Sequence, residues 1–103
     1  MAKSLDFHKA TINAFKLTLD GKSSKEKQQH VSIQIAEQFN AVVEKMKIEF
    51  PEHASHLPRE ITWGGANARH FRIADVTFLD FELLLNQVLA VLEVLEEDKR
   101  LIH

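Results

Sequence analysis

The sequence predicts a mainly α-helical fold, a small bundle of three to four helices in one domain over residues 1–103, with a short β-hairpin inserted before the last helix. Three observations predict it. Apolar residues recur at alternating steps of three and four, capping patterns open these runs, and Gly or Pro closes them.

The first run is Leu5, His8, Ile12, Phe15 and Leu19, one stripe of a helix over about residues 5–19 with Ser4 as its expected N-cap and Asp20-Gly21 as its turn. Ser23 and Glu26 then have capping-box spacing, in which hydroxyl and carboxylate satisfy each other's backbone donors, so a second helix is expected to begin there. Its stripe is Val31, Ile35, Phe39, Val42, Met46 and Phe50. Pro51 ends or kinks it, or opens a new short turn that Pro58 closes.

Trp63-Gly64-Gly65 breaks any helix, and Glu60–Trp63 and His70–Ile73 alternate as strands do, so a β-hairpin over about residues 60–73 is expected, with its loop at Gly64–Ala68. Alone it would be marginal, which requires Ile61, Trp63, Phe71 and Ile73 to pack on the helices. An ordered loop with a short helix from Ala66 to Ala74 is the competing reading. Thr77 and Asp80 make a second capping pattern, and Phe78–Leu101 reads as a long helix with more apolar residues than one stripe holds. Leu85, Val88, Leu89 and Leu92 are expected against Ile35, Phe39, Val42 and Met46, with the second and last helices antiparallel.

With 45% apolar and 27% charged residues the composition is that of an ordinary globular domain. The absence of cysteine excludes disulfides, thiolate metal sites and cysteine nucleophiles. Leu83–Leu95 is interrupted by Asn86, Gln87 and Glu93 and falls short of the ~20 residues that cross a bilayer. The N-terminus has no uninterrupted apolar stretch of the signal-peptide kind, so a cytoplasmic protein that does not enter the membrane is expected. Net charge is −2 but unevenly spread, with Lys3, Lys9, Lys16, Lys22, Lys25 and Lys27 early and Asp80, Glu82, Glu93, Glu96, Glu97 and Asp98 late. That asymmetry reads as neighbouring helix faces that attract each other. Asp6, Asp20 and Glu26 dilute the lysines, and no nucleic-acid-binding motif accompanies them, so nucleic acid is not an expected partner.

Glu49, Glu52, His53 and His56 have a spacing that would align possible metal ligands on one helical face. No second Glu-x-x-His copy completes a bundle metal site, so neither metal nor other cofactor is expected. His8 and His30 read as core-edge histidines with local hydrogen bonds. No serine sits in a nucleophile elbow, and no carboxylate pair stands out for acid-base chemistry, so catalysis has no support.

The sequence supports two functional readings. The over-apolar last helix points to a small interaction or regulatory module that self-associates as a homodimer or docks on a protein partner, with Leu84, Val91 and Leu95 as interface residues. The alternative is a small-ligand or anion-binding protein, or an enzyme, built on Arg59, Trp63, Arg69, His70 and Arg72 around Gly64-Gly65.

Overall fold

The computed structural model describes the backbone of residues 2–63 and 73–102 and the side chains of residues 5–63 and 74–98. Helix α1 (Ala2–Asp20) begins two residues before Ser4 and buries Leu5, His8, Ile12 and Leu19, with Phe15 half-buried beside them. It stops at the expected turn, where the Lys22 N–H donates to the Leu19 carbonyl.

The Ser23–Glu26 capping box forms: the Ser23 N–H donates to Glu26 Oε1 at 3.1 Å, and the Glu26 N–H to Ser23 Oγ at 3.2 Å. It opens only a 3-10 turn, Glu26–Gln28, rather than the long second helix predicted from it. The reason is competition from a strand. Strand β1 (His30–Ser32) pairs antiparallel with β2 (Ile73–Thr77), His30 Nδ1 donates to the Ala74 carbonyl, the Phe78 N–H donates to the Gln29 carbonyl, and Val31 is completely buried. These contacts satisfy backbone groups that a helix would otherwise have had to satisfy. Helix α2 (Ile33–Glu49) therefore starts at a second cap, where Ser32 Oγ accepts from the Ile35 N–H.

Pro51 opens a 3-10 segment, Pro51–His56, after the Phe50 N–H closes α2 on the Met46 carbonyl. The chain then runs back along α2 to Ile61, Thr62 and Trp63. Trp63 makes a single antiparallel bridge to Ala74, and the Asp75 N–H donates to the Thr62 carbonyl. The hairpin before the last helix is thus present, with its second arm later in sequence than His70–Ile73 and bonded to β1 as well. Its proposed loop, Gly64–Ala68, lies outside the described residues, as does the competing Ala66–Ala74 helix except for its last two residues, which are strand. Of its expected packing side, Ile61 is buried and Trp63 exposed.

Helix α3 (Phe78–Ile102) starts at the second capping box, with the Asp80 N–H donating to Thr77 Oγ1 and the Thr77 N–H to Asp80 Oδ2. It packs most closely on α1. The core is centred on Phe81, which meets Phe15 of α1 and Phe39 of α2 edge-on at centroid distances of 5.5 and 5.3 Å. Leu85, Val88 and Leu92 are completely buried in one cluster with Phe39, Val42 and Met46, while Leu89 is only half-buried.

The helix directions differ from expectation. Phe39 faces Phe81 and, further along, His53 faces Asp98, so α2 and α3 run parallel. Helix α1 is antiparallel to both, since His8 meets Glu49 and Lys9 meets Glu96. The predicted antiparallel pair is therefore not what forms. The return of residues 57–63 along α2 instead brings β2 back to the end where α2 began.

Replacing a fully buried leucine of α3 removes transfer energy and leaves a cavity. Leu85→Ala or Leu92→Ala should each cost ~2 to 5 kcal/mol in denaturant unfolding, Leu89→Ala less, and Leu83→Ala under ~1 kcal/mol because Leu83 is exposed. Hydrogen bonds from the Ser23 backbone N–H, and next from its side chain, hold the Glu26 carboxyl below its ordinary value of 4.5. A depressed carboxylate contributes above its unfolded pKa and loses that contribution as pH falls through its folded one. The Ser23 amide proton should therefore report an NMR titration with its midpoint below 4.5.

Candidate functional site

Helix α3 divides into three faces. Phe78, Phe81, Leu85, Val88, Leu92 and Leu95 point into the core. One flank is occupied by the chain's own lysines: Lys9 Nζ lies 2.9 Å from Glu96 Oε1, Lys16 Nζ donates to Asn86 Oδ1 at 3.0 Å, and Lys27 Nζ lies 3.4 Å from Glu82 Oε2. Lys22 lies over the Phe78 ring, 4.5 Å from its centroid. Two of the early lysines, Lys9 and Lys27, thus meet acids of the last helix, in the manner the charge asymmetry predicts.

The third face points outward. On it Leu79 is 54% exposed, Leu83 63% and Val94 45%, which no ordinary core position would be. Leu83, Gln87, Ala90 and Val94 follow one another at steps of four, three and four, a continuous ridge along the helix. A shallow groove of about 660 Å³ lies beside Val76, Leu83, Leu84 and Gln87, and a second of about 390 Å³ lies between Gln87, Ala90 and Val94 and the histidines His53 and His56. Gln87 borders both.

The predicted interface residues sit differently around this helix. Val91 and Leu95 are buried within the chain and Leu84 is half-buried against the core, so the apolar surface that faces outward belongs to Leu79, Leu83 and Val94. Counting steps from Leu85, Val88 and Leu92 would have put Leu83 and Val94 away from the core, because both lie off that stripe.

The metal-like spacing at the end of α2 is drawn to separate partners. Glu49 Oε2 lies 3.1 Å from Nε2 of the buried His8, His53 Nε2 lies 3.7 Å from Asp98 Oδ2, the His53 and His56 rings are 6.4 Å apart, and Glu52 is exposed. Among the described residues no three His, Asp or Glu side chains gather closely enough to hold a metal ion. Of the predicted anion site, Arg59 is exposed and Trp63 is 38% exposed, while Arg69, His70 and Arg72 lie outside the described residues. No helix among the described residues is long and apolar enough to cross a membrane.

Asn40 determines where this region sits. Its Nδ2 donates to the Ile61 carbonyl at 2.9 Å and its Oδ1 accepts from the Ile61 N–H at 2.7 Å, a two-point clamp that sequence periodicity did not reveal. Comparison of the chain with family models, curated proteins and solved structures finds no match.

Truncating Asn40 would leave both backbone groups of Ile61 without these bonds, at a cost of ~1 to 3 kcal/mol for each group that stays buried. Asn40→Ala should lower the melting temperature and speed amide exchange at Ile61 while leaving exchange in the middle of α1 protected. Unchanged exchange at Ile61 would show that the clamp is not what holds residues 57–63 on α2.

Proposed function

We propose that this chain is a small helical interaction module whose docking surface is the outward face of α3. The observation that carries the reading is the ridge Leu83-Gln87-Ala90-Val94, with its two leading apolar side chains exposed and a shallow groove on each side of Gln87. Single exposed leucines are common on protein surfaces, but apolar residues aligned along one face and bordered by recesses are a surface that a partner helix can cover. Ala90 near the middle of the ridge lets another backbone approach closely. A symmetric dimer, the occupant to which the composition first points, would use this same face.

The function proposed is therefore binding rather than catalysis. It places the energetically important contacts at Leu83 and Val94, with Gln87 and the histidines of the Pro51–His56 segment at the edge.

A neutral reporter dye such as Nile red tests the surface without naming its occupant. It should brighten and shift to the blue with the folded chain, and the double variant Leu83→Gln, Val94→Gln should lose most of that response. The same variant should keep its stability to within about 0.5 kcal/mol, since both side chains are substantially exposed. A response that the double variant leaves intact would place the accessible apolar surface elsewhere.

A further inference from the structure

We infer that the occupant of the α3 face is an amphipathic helix with basic flanks, a conclusion that rests on the reading of that face as a docking surface. The argument comes from how the chain distributes its own charge. Between Phe78 and Asp98 there are six acids and no lysine or arginine, before Lys99 and Arg100. Two of the six are neutralised from the α1 side, Glu82 by Lys27 and Glu96 by Lys9. Asp98 faces His53, and Asp80 is committed to the cap of its own helix.

Glu93 and Glu97 are both exposed, and among the described residues neither has a basic side chain within ion-pairing distance. Glu97, with Asp80 and Asp98, borders the apolar ridge, whereas Glu93 lies on the flank of Asn86 and Glu96. Lys9 and Lys27 are thus paired on the flank that is already covered, and among the described residues the open face has acids at its border and no lysine or arginine paired with them.

That pattern selects among occupants. A second copy paired antiparallel about Gln87 and Ala90 would set Leu83 against Val94 but Asp80 against Glu97; paired parallel, it would set each acid near its own counterpart. Either direction brings like charges together, which opposes association. A helix with leucine-like residues at three- and four-residue spacing and Lys or Arg beside them matches both the ridge and its border.

The test uses the full chain and two synthetic peptides of roughly 18 residues, about five helical turns. They share one amphipathic leucine pattern, and the remaining positions are lysine in one and glutamate in the other. The lysine peptide should bind at one per chain, gain helical circular dichroism, and bind more weakly as sodium chloride is raised. Glu97→Lys with Asp98→Lys should weaken it by about tenfold or more. Leu83→Gln with Val94→Gln should abolish binding while the melting temperature holds.

Equal binding of the glutamate peptide, or no effect of the charge reversals, would overturn the charge selection and leave the α3 face as a docking surface. Peptide binding indifferent to Leu83→Gln and Val94→Gln would overturn the docking surface as well. Light scattering over a dilution series should give the mass of one chain. A dimer that those two substitutions dissociate would assign the face to a second copy instead.

Discussion

Two helices that succeed each other in sequence and point the same way require the chain to travel back along the first, and here that return passes through Ile61, held at both its amide and its carbonyl by Asn40. The later elements follow from this return. Ile61 delivers Thr62 and Trp63 to the edge of β2; β2 lies beside β1; and β2 runs directly into α3. An amide side chain suits the task because it carries a donor and an acceptor that together mimic a strand neighbour. The two hydrogen bonds on α2 hold the chain at Ile61, two residues before the bridge from Trp63 to Ala74 of β2.

Around that frame the remaining interactions divide by type. The aromatic contacts at Phe81 join all three helices in the dry centre, where area and edge-on ring geometry act together. The ion pairs lie at the borders. Exposed pairs of this kind contribute little stability, typically below ~1 kcal/mol, but they are selective about which faces can meet. Lys9, Lys16 and Lys27 direct α1 and the first 3-10 turn to one flank of α3 and away from the other. The unoccupied flank is therefore a product of how the occupied one is recognised.

The sequence carried the helices more clearly than their arrangement. Long stripes such as Leu5 to Leu19 and Val31 to Met46 are repeated signals that burial alone explains, and the capping boxes at Ser23 and Thr77 form as their spacing implies. A capping box marks where a helix begins and carries no information about its length. Ser23 opens one turn because His30, Val31 and Ser32 gain more from pairing with residues over forty positions away, information that no local window contains. The parallel direction of α2 and α3 was hidden for the same reason, since it depends on Asn40 meeting Ile61. On the candidate surface the abundance of apolar residues in α3 was plain, but its phase was not. Val91 and Leu95 turn inward with Val88 and Leu92, whereas Leu83 and Val94, equally apolar, fall outside that arc.

The pairing of the first helix with the last has a consequence for how this molecule is made. Lys9 and Glu96 are 87 positions apart, so the contacts that seat α1 are among the most distant in the chain. Helical bundles usually fold quickly because their contacts are local; here the pairing of α1 with α3 closes a long loop, which slows the search. On the ribosome α1 is made before both helices it packs against. Until α2 and then α3 have followed, Leu5, Ile12 and Leu19 form an apolar stripe without its full cover, the kind of nascent surface on which a chaperone acts.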